Sequence, residues 1–186
     1  MELTVKREEL LKEIAQVQGI VEKKSTIPML SHALLKARDG QLTVLATDLE
    51  VSSRASIAAE VKGSGSIALP ARRLYDLIRS LDSDTVSFTN RGGNSVTMAG
   101  GAFSAQLFGL PEEDFPTIPE AKMAGAVKLP VATVKEMLSQ VMIAAALEDT
   151  RFAIAGCLMK LGDTGITLVA TDGHRLSMID RKIPAI

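Results

Sequence analysis

Residues 2–48 and 126–172 can be superimposed at a constant offset of 124 without a gap, and both read as a strand, a helix and a pair of strands. Leu3 and Val5 fall on Val127 and Leu129, and Leu10, Ile14, Gln16 and Val17 fall on Val134, Leu138, Gln140 and Val141. Seven identities follow within fifteen residues: Leu34, Lys36, Asp39, Thr43, Ala46, Thr47 and Asp48 meet Leu158, Lys160, Asp163, Thr167, Ala170, Thr171 and Asp172. An ungapped match of this length marks a duplicated supersecondary unit, so the fold is built by adding copies.

A fainter repeat lies inside the first. A shift of 64 places Leu3, Val5, Leu10 and Ile14 on Ile67, Leu69, Leu74 and Ile78. The basic unit is therefore about sixty residues long, with copies starting near Glu2, Ser66 and Ala126. Paired units give one complete domain over 1–120, built of 2–62 and 66–110, and the first half of a second over 121–186. On this arithmetic the chain is expected to be the front part of something longer.

The local pattern fits an α+β fold of strand-helix-strands units, with helices on one face of antiparallel sheets. Leu3 and Val5 alternate as a strand, and Leu10, Leu11, Ile14 and Val17 recur at helical spacing opposite Glu8, Glu9, Lys12, Glu13 and Gln16. After a loop over Val21–Pro28, period-two alternation returns in Leu42, Val44 and Ala46 and in Val51 through Ala59. Asp39-Gly40 is a hairpin signal. In the second unit Ile67 and Leu69 predict a strand, Pro70 suits a first helical turn, and Leu74, Leu77, Ile78 and Leu81 form a buried stripe. Val86 with Phe88, Val96 with Met98, and Phe103 with Leu107 predict three more strands. The Pro- and acid-rich stretch between Leu110 and Ala126 reads as a domain linker.

Hydrophobic residues make up 46% of the 186, but aromatics only 3%, so the cores must be packed with aliphatic side chains. No apolar run reaches the eighteen or so residues of a membrane span and the start of the chain lacks a signal-peptide pattern, so a cytoplasmic location is expected. Cys157 is the single cysteine and has no intrachain partner, which fits a reducing compartment. With 21 basic and 22 acidic residues, the net charge of −1 excludes a protein that grips nucleic acid by a large excess of cations.

Five segments carry a family resemblance: TIPML at Thr26–Leu30, ATDLE at Ala46–Glu50, LPARRLYDLIRSL at Leu69–Leu81, LPEEDFPTIP at Leu110–Pro119 and ATDGHRL at Ala170–Leu176. In this order they resemble the bacterial DNA sliding clamps, the β subunits of DNA polymerase III, over the whole chain. The resemblance implies a processivity factor without catalytic activity or cofactor. In that family three such domains per subunit and two subunits per ring surround duplex DNA, with helices lining the hole. A ring holds DNA by topology, which reconciles retention with weak charge. A family member is about twice as long, so this chain is expected to lack the rest of domain two and all of domain three.

The resemblance also implies sites. Ile154, Thr171, Gly173, His174, Arg175 and Leu176 would line an apolar groove for short peptide tails of the polymerase and clamp loader, a sound design for an extended peptide. Its other wall would lie in sequence this chain does not contain, so little peptide binding is expected of the chain alone. Asp172 reads as a turn residue, because Asp48 recurs at the equivalent place, whereas 173–176 have no counterpart in 49–52 and are expected to carry the specialised role. Lys12, Arg72, Arg73, Arg79 and Lys135 sit on polar helix faces turned toward the hole, and Lys24, Arg151 and Phe152 fall near the DNA path. Each such cation also fits a merely solubilising surface.

Two other functions compete. One is a clamp-like protein-interaction module that does not encircle DNA. The other is a hydrolase using Cys157, His174 and Asp172 as nucleophile, base and orienting acid; against it, Cys157 occupies the inward position equivalent to Ala33, and no metal-ligand spacing or phosphate loop is present.

Overall fold

The computed structural model describes residues 1–21, 27–90, 92–119, 124–146 and 154–183. It separates into two compact units, Met1–Glu120 and Ala121–Ile186.

In the first unit, strand β1 (Glu2–Lys6) leads into helix α1 (Arg7–Val17), followed by β2 (His32–Arg38), β3 (Gln41–Thr47) and the long β4 (Ser52–Gly63). The grammar then repeats as β5 (Gly65–Pro70), helix α2 (Ala71–Ser80), β6 (Thr85–Thr89), β7 (Ser95–Gly100) and β8 (Phe103–Phe108). Glu8 and Glu9 place negative charge in the first turn of α1, and Arg79 places positive charge in the last turn of α2; both oppose the helix dipole favourably. Pro70 ends β5 and stands at the N-cap of α2, just before the helix it was expected to open. Asp39 and Gly40, at φ 51° and 72°, make the expected β2–β3 turn.

The strands form one antiparallel sheet in the order β5-β2-β3-β4-β1-β6-β7-β8. Its pairing is an exchange between the halves. β1 lies between β4 of its own half and β6 of the other, and β5 lies against β2 of the other half while Ala68 bridges Leu110, just past β8. Swapping the two halves reproduces the same pairings.

Both helices lay their apolar stripes on one face. Leu10 and Ile14 of α1 and Leu74 and Ile78 of α2 are fully buried with Leu3, Val5, Leu35, Ile67, Leu69 and Phe88. Each such side chain stabilises the fold by about 1.5–3 kcal/mol. A smaller cluster covers the opposite face: Met29, Leu34, Leu45 and Ala68 are buried with Leu110, Phe115 and Ile118 packed on them. This corrects the linker reading. The segment from Leu110 to Ile118 is docked, because its three apolar residues complete a core whose floor is the outer face of β2, β3 and β5.

The second unit has helix α3 (Val131–Val141) and strands β9 (Leu158–Gly162), β10 (Gly165–Thr171) and β11 (Leu176–Lys182), paired in the order β11-β10-β9. At the offset of 124 the boundaries of α3 and β10 follow those of α1 and β3 at both ends, and β11 begins where β4 does. Met137, Val141, Ala144, Ile166, Leu168, Ala170 and Ile183 make its core. The expected strand at Val127–Leu129 does not form. Its counterpart β1 is a strand because β4 and β6 flank it, and no described residue holds the place of β6 in this unit; an extended segment without a ladder partner is not a strand.

Candidate functional site

The ATDGHRL turn is held by a closed set of hydrogen bonds. Thr171 Oγ1 donates to the Arg175 carbonyl at 2.7 Å and accepts from the Gly173 N–H at 3.1 Å. Asp172 Oδ1 accepts the N–H groups of His174 and Arg175, both at 2.9 Å, and Asp172 Oδ2 takes the Arg175 guanidinium Nε at 2.9 Å. The Arg175 backbone N–H, then that of His174 and then the Arg175 side chain hold the Asp172 carboxyl down from 3.8 to about 2. Asp172 is thus the turn residue its repeat mate suggested.

The same network exists in the first unit. Thr47 Oγ1 donates to the Val51 carbonyl at 3.0 Å and accepts from the Leu49 N–H at 3.0 Å, while Asp48 Oδ1 accepts the N–H groups of Glu50 and Val51. The Val51 N–H is the main cause that lowers the Asp48 pKa. Gly173 has φ 87° and Leu49 has φ 79°. Residues 173–176 therefore do have a backbone counterpart in 49–52, contrary to the sequence expectation. The difference is in side chains: Gly173, His174, Arg175 and Leu176 replace Leu49, Glu50, Val51 and Ser52. Only the second turn gains the guanidinium contact.

Gly173, His174, Arg175 and Leu176 are exposed, Leu176 by 64%, and Thr171 is half-buried. Ile154 is half-buried and its carbonyl accepts the Ala146 N–H at 3.1 Å, a network separate from the turn. Sequence reasoning missed an apolar row next to Leu176. Leu158, Val169 and Met178 are cross-strand neighbours on the outer sheet face, with Leu158 and Met178 exposed by 66% and 60%. The counterparts of Leu158 and Val169 in the first unit, Leu34 and Leu45, are buried beneath Leu110, Phe115 and Ile118. The signal was the shared parity of Leu176 and Met178 on one strand, opposite to core-facing Ile179.

The cationic candidates sit on the solvent faces of the helices. Lys12 of α1, Arg72, Arg73 and Arg79 of α2 and Lys135 of α3 are exposed, and among the described residues these five make no ion pair. By contrast Lys6, Lys36, Arg175 and Arg181 are paired with Glu9, Glu112, Asp172 and Glu136. Between α1 and α2 a cleft of about 420 Å³ is lined by Ala15, Gln18, Val21, Arg72, Tyr75 and Asp76. The Gln18 Nε2 is buried there without a hydrogen-bond partner. Lys24, Arg151 and Phe152 lie outside the described residues.

The hydrolase alternative fails on geometry. The Asp172 oxygens are engaged by backbone N–H groups and the Arg175 guanidinium, so they do not orient the His174 ring. Cys157 packs half-buried against the second core, with its Sγ directed to the Leu158 carbonyl. Among the described residues no acidic, histidine and cysteine cluster is arranged to hold a metal, and no helix is long and apolar enough to cross a membrane.

Residues 1–119 match the family model of the DNA polymerase III beta subunit, N-terminal domain, and residues 128–185 match that of its central domain. The beta sliding clamp of Chlamydia trachomatis is 33% identical over 183 residues, 98% of this chain and 44% of that protein. The beta sliding clamp of Pseudomonas aeruginosa is 33% identical over 188 residues, 100% of this chain and 51% of that protein. The chain thus spans about half the length of the curated relatives it matches. Among solved structures, the Pseudomonas aeruginosa DNA polymerase III subunit beta bound to griselimycin matches with a TM-score of 0.89 at 32% identity, over 100% of this chain and 50% of that one. The Bacillus subtilis DNA polymerase sliding clamp, at 23% identity, shares the fold with a TM-score of 0.94 over 100% of this chain and 51% of its own.

Proposed function

Because this chain belongs to the DNA polymerase III beta-subunit family, we propose that it is the amino-terminal part of a DNA sliding clamp, a processivity factor that encircles duplex DNA and tethers a replicative polymerase. The observation that carries the reading is the repeated half-domain whose helices bury one face on a sheet and leave unpaired cations on the other. Met1–Glu120 acts as clamp domain one, with halves 2–62 and 66–110, and 121–186 as the first half of domain two.

Duplex DNA is contacted through Lys12, Arg72, Arg73, Arg79 and Lys135, helped by Lys24, Arg151 and Phe152. Five unpaired cations in a chain of net charge −1 give loose, screened phosphate contacts, which suits sliding. Thr171, Gly173, His174, Arg175, Leu176 and Ile154 receive short apolar peptide tails of the polymerase and clamp-loader subunits. The turn network supports this role, since it fixes the backbone while His174, Arg175 and Leu176 stay exposed. In its full-length form the protein works as a homodimeric ring in the bacterial cytoplasm, without catalysis or cofactor.

The test is primer extension by the replicative polymerase of the same source with the native, full-length protein. Long products are expected, and they shorten when His174 and Leu176 are both replaced by Ala. Product lengths that ignore the protein overturn the reading in favour of a clamp-like interaction module.

A further inference from the structure

We propose that the cleft between α1 and α2 binds a single nucleotide whose base is unpaired.

The cleft lies within the first unit, between helices of its two halves. Its volume of about 420 Å³ falls in the range of small-molecule sites. Gln18 stands at the C-cap of α1, where its backbone N–H closes onto the Ile14 carbonyl at 3.3 Å, so the side chain starts from a fixed point. Its Nε2 is buried without a hydrogen-bond partner, the one such side-chain atom among the described residues. A buried donor left unpaired costs stability, and a fold that keeps one leaves room for a partner that arrives from outside. An acceptor atom on a ligand in the cleft is that partner.

Across the gap, α2 presents Arg72, Tyr75 and Asp76, whose spacings of three and four put them on one helix face. Among the described residues neither Arg72 nor Asp76 forms an ion pair. Ser31 Oγ already donates to the Pro28 carbonyl at 2.7 Å, while Ala15 and Val21 add apolar wall. An aliphatic ligand leaves both charges and the amide unmet, and inorganic phosphate meets Arg72 alone. A nucleotide meets all of them. Its phosphate takes the Arg72 guanidinium, its base stacks on the Tyr75 ring, and the pairing edge of the base accepts from Gln18 Nε2 and donates to the Asp76 carboxylate. Every base has both a donor and an acceptor on that edge, so the site reads the lack of pairing and not the sequence; in a duplex the edge is already used. Arg72 also belongs to the cations proposed above to contact duplex DNA, which makes a strand leaving a duplex the nearest source of such a nucleotide. That source rests on the proposed function, whereas the chemistry of the cleft does not.

Equilibrium binding by the native, full-length protein tests this with two probes. One is deoxycytidine monophosphate, titrated calorimetrically. The other is a pair of labelled DNAs with the same duplex, one fully paired and one with a short unpaired overhang, followed by fluorescence anisotropy. The overhang is expected to tighten binding about 10-fold, as one stacked and bonded base provides. Gln18→Leu and Tyr75→Leu should each erase that gain and leave the affinity for paired DNA unchanged. Gln18→Leu should also leave the thermal midpoint unchanged or raised, because it removes an unpaired buried donor. Monophosphate binding that Gln18→Leu abolishes, with no gain from the overhang, would uphold the nucleotide site and make its source a soluble nucleotide. Absence of both monophosphate binding and overhang gain overturns the proposal, and so does a gain that both variants retain, since the unpaired strand then sits elsewhere. Failure to bind paired DNA would sink the proposed function and leave the monophosphate to decide this site.

Discussion

Gly109→Ala probes the closure of the first domain at its tightest point. A Cβ at Gly109 would lie 2.3 Å from the Ala68 carbonyl oxygen, 2.8 Å from Ile67 Cγ1 and 3.0 Å from Leu69 Cδ2. Gly109 is not among the glycines with positive φ, so space alone opposes the methyl group. The nearest atom belongs to backbone and cannot rotate away; the chain must move. The adjacent hydrogen bonds, Ala68 N–H to the Leu110 carbonyl at 2.9 Å and Leu110 N–H to the Ala68 carbonyl at 2.8 Å, are the ones that movement breaks. Their loss is worth about 0.5–1.5 kcal/mol each, and overpacking adds about 1–3 kcal/mol, which together centre on about 4 kcal/mol. That is a large part of the stability of an ordinary domain. Urea unfolding followed by far-UV circular dichroism measures the loss, and amide exchange at Ala68 and Leu110 shows whether closure has opened. A loss below about 1 kcal/mol with both amides still protected would refute the reasoning.

Phe115→Ala should uncover Leu34 and Leu45, lower stability by about 1–3 kcal/mol and raise binding of an apolar dye. Gly173→Ala should destabilise the second turn by about 1 kcal/mol, read by amide exchange: the left-handed conformation costs a residue with a Cβ about 1–2 kcal/mol, and a stiffer unfolded chain returns about 0.4–1 kcal/mol. The carboxyl of Asp172 is depressed from 3.8 to about 2 in the fold, so its stabilising effect is complete above pH 4 and is lost as the pH falls toward 2. Amide shifts of His174 and Arg175 should titrate in that window, and Asp172→Asn should abolish the titration.

Helices and hairpins were legible in the sequence because each is determined by neighbours in the chain. Leu10 with Ile14, and Leu74 with Ile78, announce their helices, and Asp39-Gly40 announces its turn. The failures all involve partners far away in sequence. Val127 and Leu129 alternate like Leu3 and Val5, yet a strand belongs to a ladder, and among the described residues no strand stands beside them as β4 and β6 stand beside β1. Phe115 and Ile118 sit among prolines and acidic residues, so local composition says linker, while three-dimensional contact with Leu34 and Leu45 makes them core. The turn was misread because Gly173 looks special beside Leu49. In the structure the Thr47 and Asp48 side chains bind enough backbone N–H groups to hold Leu49 in the left-handed region regardless. The exposed cations of α2 were readable from its period, whereas their lack of ion pairs was not.

Retention on DNA of defined topology goes furthest toward deciding the proposed role. Native, full-length protein is loaded onto a nicked duplex circle by the loader of the same source, separated from free protein, and followed before and after a single double-strand cut. A topological ring stays on the circle at moderate salt and is released by the cut. Equal retention on circular and linear DNA would show a surface binder, and the clamp mechanism would have to be abandoned.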